Sequence, residues 1–235
     1  LGVLADHFAG RDLANHVVVS PDLGNAKNAT QFARLLGLPV AAGSKRRLSD
    51  DTVVIDSGPL DGTPVVLLHG FPQRAGAWKS VAEHLHERGL RTYAPDQRGY
   101  SPGARPRTRW GYRGSQLKAD ILKLIADIGG PVHLVGHDWG SAVGWAVAGH
   151  APDLISSYTA VSVPHPAAFM RSMLTSNQLL KSYYMGIFQL PLVPELVLKQ
   201  HSAGKVLRKA GMTREMVATF KTDMVESGEL TGGLG

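Results

Sequence analysis

The sequence predicts an α/β protein: a doubly wound parallel sheet with a partial helical cap, preceded by a separate βαβ unit. Three observations lead there. From Gly58 to Pro166, short apolar or β-branched runs alternate with amphipathic stretches, the pattern of parallel strands joined by crossover helices. The alternation stops at Pro166, and Ala167 to Leu230 reads as helices, broken at Pro191, Pro194 and Gly211, as a lid over a sheet would. Upstream, one strand-helix-strand set stands before a charged loop. The expected divisions are therefore 1–57, 58–166 and 167–235.

Taken in order, HVVVS (16–20) is a β-branched strand, and NAKNATQFARLLG follows as a helix, with Ala29, Phe32, Leu35 and Leu36 at helical spacing before Gly37. LPVAA is a second strand, parallel to the first because a helix joins them. GSKRRLSDD reads as a charged loop and TVVID as a third strand. GPLDGTP is a turn, PVVLL a buried strand, Ala77 to Arg88 an amphipathic helix and RTYAP the next strand. A helix over Ser115 to Ile128, the strand PVHLVG, a helix after Gly140 and the strand YTAVSV complete the run. No internal repeat or low-complexity tract occurs.

Composition narrows the functions. With no cysteine, disulfides, thiolate metal sites and cysteine nucleophiles are excluded. The net charge of +6 comes from scattered Arg and Lys, with small clusters at Lys45 to Arg47 and between Arg98 and Arg113; no interleaved aromatic platform accompanies them, so nucleic acid is not the expected partner. The longest apolar candidate, Ile187 to Leu198, is broken by Gln189, two prolines and Glu195, short of the roughly 18 apolar residues of a membrane span. LGVLADHFAGRD has no basic start followed by an apolar run, unlike a signal peptide. The expectation is a cytoplasmic protein that contacts no membrane; nothing in the sequence sets its oligomeric state. Leu1 in place of Met, and the ending ELTGGLG, which does not look like a packed element, both read as cuts.

The chemistry is carried by two motifs. Gly136-His137-Asp138-Trp139-Gly140 lies where PVHLV meets a helix, the strand, sharp turn, helix context of a nucleophile elbow. Its glycines are expected for steric reasons, since side chains at 136 and 140 would meet neighbouring backbone. The central residue is Asp rather than Ser, and a carboxylate can displace a leaving group from an sp3 carbon to form an alkyl ester. The competing reading is that Asp138 simply caps the following helix. The second motif, His69-Gly70-Phe71-Pro72, directly follows the strand VVLL. The loop at that place supplies one oxyanion-hole amide, here from Phe71, while Trp139, next after the nucleophile, supplies the other.

HGFPQ, APDQRGYSPGARP, GHDWG and SVPHPAAF resemble the epoxide hydrolases of the α/β-hydrolase family, from about Gly58 to the C-terminus. The resemblance implies an α/β-hydrolase sheet with a helical cap, a small epoxide substrate, no metal and no organic cofactor. It also implies that a cap tyrosine polarises the epoxide oxygen. Aligning SYYMGIFQLP on Phe188 and Gln189 gives that place to Tyr184, with Tyr183 as fallback; an amphipathic helix burying aromatic area is the alternative for both. His69, Pro72 and His165 are further substrate-binding candidates, although a histidine between prolines at a strand end is more often a loop residue. Asp96 and Arg98, in DQRGYS, match a motif whose role is a hydrogen-bonded brace behind the site. Haloalkane dehalogenases share GHDWG, and there the Trp139 indole would donate to halide. Phe71 offers no side-chain donor and the paired cap tyrosines favour an epoxide. No Gly-x-Ser-x-Gly occurs, which disfavours a serine esterase.

In this family a histidine, oriented by a carboxylate, activates the water that hydrolyses the ester. The resemblance places both residues, and a second cap tyrosine, past ELTGGLG, so the chain is expected to manage at most the first half-reaction and to leave a sheet edge uncovered. The stretch VVVSPDLGNAKNATQFARLLGLPVAAGSKRR, within about 1–57, resembles ribose-phosphate diphosphokinase, with Lys45 and Arg47 on its basic, phosphate-contacting loop; a solvated charge run is the alternative. The crossover falls near Ser57 and Gly58, and a catalytically silent chimera is the third expectation.

Overall fold

The computed structural model describes the chain apart from residues 1, 9, 15, 17, 21–25, 39, 43, 48–51, 102, 189–195, 197, 199–202, 210, 227–229 and 235, and without the side chains of 19, 26, 41, 42, 44–47, 184, 187, 188, 203, 206, 209, 231 and 234. It opens with α1 (Gly2–Phe8), β1 (Val18–Ser20), α2 (Ala26–Leu36) and β2 (Val40–Ala42). β1 and β2 pair in parallel as a two-stranded sheet, as the intervening helix requires. α1, which the sequence reading does not include, lies on α2, with Phe8 edge-on to Phe32 at 6.1 Å.

The main sheet is formed by β3 (Ser44–Arg47), β4 (Val53–Ser57), β5 (Thr63–Leu68), β6 (Leu90–Pro95), β7 (Val132–His137) and β8 (Ile155–Val161). Its six strands run in the order β3-β4-β6-β5-β7-β8. β6, β5, β7 and β8 are mutually parallel, whereas β3 and β4 are antiparallel additions at one edge, so the sheet is mixed and mostly parallel. Residues 44–47, expected as a charged loop, are instead the edge strand, because their backbone pairs with Val53–Asp56. Charged residues are common on such edges, where they discourage further pairing.

The sheet also crosses the expected boundary at Ser57 and Gly58. β4 is locked to β6 by Asp56, whose carboxylate accepts two bonds from Arg91, Nε to Oδ1 and Nη2 to Oδ2, both at 2.8 Å. Arg91 also donates to the Leu60 carbonyl at 2.9 Å and lies over the Tyr93 ring at 5.2 Å. This arrangement holds the guanidinium above its ordinary pKa, chiefly through the Asp56 hydrogen bonds.

β5 is central and alternates between two cores. Val66 and Leu68 face α4 (Gly114–Ile128) and α5 (Trp139–His150), meeting Ile121, Leu124, Ile125, Val143 and Val147. Val65 and Leu67 face α3 (Lys79–His86) and the 3-10 turn Ala75–Trp78. Beyond β8 lie α6 (Pro166–Thr175), α7 (Gln178–Lys181), α8 (Tyr183–Phe188), α9 (Ala203–Lys209), α10 (Arg214–Phe220), a π-turn over Lys221–Glu226 and α11 (Leu230–Leu234).

The C-terminal elements pack onto the core. Leu198, Phe220, Met224 and Leu230 form a third cluster with Tyr100, and Phe71 lies against it. The expectation that ELTGGLG is not a packed element is therefore corrected: Leu230 is buried, and Gly232 meets Gly99 backbone to backbone, where a Cβ on either residue would overlap the other's carbonyl. β8 is the last strand of the described sheet, and its residues are partly or fully exposed along its length. Met170, Leu174, Leu179, Leu180 and Tyr183 expose apolar area nearby in sequence. Among the described residues no helix is long and apolar enough to cross a membrane.

Candidate active site

β7 delivers Asp138 to the C-terminal end of the sheet, where ligands bind in open α/β sheets. Its backbone, at φ 51 and ψ −121, is one that non-glycine residues adopt only when their surroundings enforce it. The enforcement is visible in the neighbouring glycines. A Cβ at Gly136 would overlap the Gly140 carbonyl, one at Gly140 the carbonyls of Leu68 and His69, and one at Gly70 the Asp138 side chain itself. The steric expectation for 136 and 140 thus holds, and Gly70 joins them.

Asp138 occupies the N-cap position of α5 yet makes no side-chain capping bond. Its Oδ2 instead accepts the Phe71 N–H at 3.0 Å. Oδ1 accepts no hydrogen bond among the described residues. The Trp139 N–H is in the first turn of α5, where amides have no intrahelical acceptor. With Oδ2 held by the Phe71 N–H and Oδ1 accepting no hydrogen bond among the described residues, Oδ1 is the carboxylate oxygen available to react with a carbon. The Phe71 N–H, already on Oδ2, is a donor to charge developing on that oxygen.

The other candidates are placed as follows. His69 lies behind the loop, 1% exposed. Its Nε2 accepts the Gln97 N–H at 3.0 Å, which leaves Nδ1 as the protonated nitrogen, 3.2 Å from the Gly70 carbonyl. Gln97 also donates its side-chain amide to the His69 carbonyl, and Tyr100 packs edge-on against the ring at 4.5 Å. Burial lowers the imidazole pKa to about 4, so it is neutral. Both nitrogens are spent on backbone, which makes His69 a brace for the loop rather than a group presented to substrate. Asp96 braces the same loop from its other end: it accepts the Ala75 N–H at 2.9 Å and Arg74 at 3.2 Å. Arg98 binds Asp120 of α4 through two nitrogens, at 2.8 and 2.6 Å. Both act structurally, as the motif implies.

Pro72 lines a cavity of about 550 Å³ between Gln73–Ala77 and the segment Met212–Asp223; Asp138 is not among the cavity's lining residues. His165 is the N-cap of α6, its Nδ1 accepting the Ala167 N–H at 3.2 Å, with its ring edge-on to Trp145 at 4.9 Å. Tyr183 begins α8 and is 69% exposed. The backbone of Tyr184 lies in α8, and that of Lys45 and Arg47 in β3, but the three side chains lie outside those described. One residue not singled out from the sequence is Ser141, fully buried under the elbow. A serine one place after GHDWG is the signal available, and it shows a hydroxyl without showing what that hydroxyl reaches.

Comparisons with known proteins bear on the family and the fold. The description of the alpha/beta hydrolase fold family matches residues 63–189. The AB hydrolase superfamily protein YfhM of Bacillus subtilis is 37% identical over 190 residues, covering 77% of this chain and 66% of that protein. Epoxide hydrolase 3 of Xenopus tropicalis is 35% identical over 146 residues, 61% of this chain and 40% of that protein. The chain thus spans between 40% and 66% of the length of these curated relatives. Among solved structures, the epoxide hydrolase VrEH1 of Vigna radiata superposes with a TM-score of 0.65 at 30% identity, over 83% of this chain and 70% of that one.

Proposed function

We propose that this chain, which belongs to the alpha/beta hydrolase fold family, is an epoxide-hydrolase-like enzyme acting on a small-molecule epoxide through Asp138. The observation that carries the reading is the Asp138 carboxylate. It occupies a helix-capping position without capping, accepts the Phe71 N–H at 3.0 Å and leaves Oδ1 open. In the first step Oδ1 bonds to a ring carbon of the epoxide. The ring C–O bond breaks with its electron pair on oxygen, and that oxygen takes a proton from a cap tyrosine. The family resemblance assigns this donor to Tyr184, with Tyr183 as fallback. Hydrolysis of that ester would need a base to take a proton from the attacking water and pass it to the departing alkoxide, with the Phe71 and Trp139 N–H groups as the donors to the oxyanion.

Among the described residues the carboxylate's hydrogen-bond partner is an amide, and no histidine bonds to it. The ester is the intermediate by which this reading is recognised. Intact-protein mass spectrometry with a panel of aryl epoxides and haloalkanes tests the reading. Ring opening loses no atoms, so the expected result is a stoichiometric gain equal to a whole epoxide. A gain equal to a haloalkane minus hydrogen halide would instead indicate a dehalogenase. The phosphate-binding reading of Lys45 and Arg47 is tested separately by magnesium-dependent binding of ATP or ribose 5-phosphate, and no binding at millimolar ligand removes it.

A further inference from the structure

The elbow is held from behind by a side chain that solvent does not reach. Ser141, in the first turn of α5, is 0% exposed. Its hydroxyl donates to the Gly136 carbonyl at 2.5 Å, with the Val161 carbonyl at 2.9 Å as a second acceptor, and it accepts the Val161 N–H at 3.1 Å. The same Val161 carbonyl accepts the Asp138 N–H at 3.2 Å. One hydroxyl thus joins the ends of β7 and β8 to the start of α5, at the residue whose carbonyl anchors Asp138.

The chain is strained on both sides of this junction. Asp138 has φ 51 and Ser162, next after Val161, has φ 72; these are the positive-φ non-glycine residues of the described chain. Such conformations persist where the surroundings over-determine them. Ser141 is itself fixed by Tyr158, whose hydroxyl donates to the Ser141 carbonyl at 2.7 Å. Burial pushes the Tyr158 pKa up to about 12, so it remains a donor.

From this geometry we infer that Ser141 is a positioning residue for Asp138, acting through Val161 and not on substrate. The inference rests on the reading of Asp138 as nucleophile for its catalytic consequence, but not for its structural one. Small displacements of an attacking atom cost large factors in rate, and the supporting hydrogen bonds of a site set its placement. Losing the hydroxyl leaves the Val161 N–H without its acceptor and frees the carbonyl that holds Asp138.

Ser141→Ala is the test, with Tyr158→Phe as a control that loosens the same region without touching Val161. Amide hydrogen exchange is expected to quicken at least about 10-fold at Asp138 and Val161 in Ser141→Ala, with Val66 and Leu67 unchanged, and to show no such selectivity in Tyr158→Phe. With an aryl epoxide that labels the parent protein, the maximal labelling rate is expected to fall about 10- to 100-fold, and the half-saturating concentration to stay within about twofold. If Ser141→Ala does not fold, Ser141→Cys, which retains a weaker donor, carries the same comparison. Exchange that is unchanged or uniformly faster overturns the inference, as does a rate loss that follows melting temperature equally in both variants. Selective exchange in a protein that no epoxide labels supports the positioning of the elbow and overturns the nucleophile reading.

Discussion

The Asp56–Arg91 pair decides whether β4 belongs to the same sheet as β6, and its removal has a calculable effect. The Asp56 and Arg91 side chains are 2% and 16% exposed. Asp56→Ala deletes both 2.8 Å bonds and leaves the guanidinium with the Leu60 carbonyl at 2.9 Å and the Tyr93 ring. Removing one partner of a buried pair costs about 3–5 kcal/mol, and the retained contacts place this case at the lower end, about 3 kcal/mol. For a chain of this size that corresponds to a fall in Tm of about 6–12 °C. Urea and thermal unfolding followed by tryptophan fluorescence and circular dichroism would read it. Replacing both residues together, Asp56→Leu with Arg91→Met, is expected to recover most of the loss, since apolar groups of similar size can replace a buried pair at little cost. A loss below about 1 kcal/mol in Asp56→Ala, with no coupling to Arg91, would refute the reasoning and separate β4 from the sheet.

Three further outcomes follow from the same geometry. Gly140→Ala places a Cβ into the Leu68 and His69 carbonyls; it is expected to destabilise by about 1–3 kcal/mol and to abolish labelling of Asp138, read by calorimetry and mass spectrometry. His69 has a pKa lowered by burial to about 4 against 6.5 when unfolded. The unfolded chain therefore binds its proton first as pH falls, so stability is full above pH 6.5 and drops by about 3 kcal/mol toward pH 4; His69→Gln should flatten that part of the stability curve. Gly232→Val drives a side chain into Gly99 and is expected to release α11, seen as faster proteolysis after Glu226 with little change in β5 amide protection.

Much of the sheet was legible in the sequence because its signals are local. PVVLL, RTYAP and PVHLVG are bounded apolar runs, and the helix expected over Ser115 to Ile128 is observed over Gly114–Ile128. The edge was not legible. Nothing in SKRR looks like a strand, and it forms one because its backbone has Val53–Asp56 to pair with. ELTGGLG is a similar case: two glycines read as an unpacked tail until Gly99 is seen to need a neighbour without a Cβ. At the site, the glycine spacing of GHDWG exposed the elbow and the position of HGFP exposed its amide. The role of His69 could not be read this way, since a ring's neighbours are set by Gln97 and Tyr100, residues remote from it in sequence.

Peptide mapping of the adduct formed with an aryl epoxide tests the central claim most directly. The account expects one equivalent of added mass on the peptide containing Asp138, lost on treatment with hydroxylamine as an ester would be, and absent from a folded Asp138→Asn protein. An adduct that maps elsewhere or survives Asp138→Asn, or a cooperatively folded parent that takes up no epoxide, would contradict it.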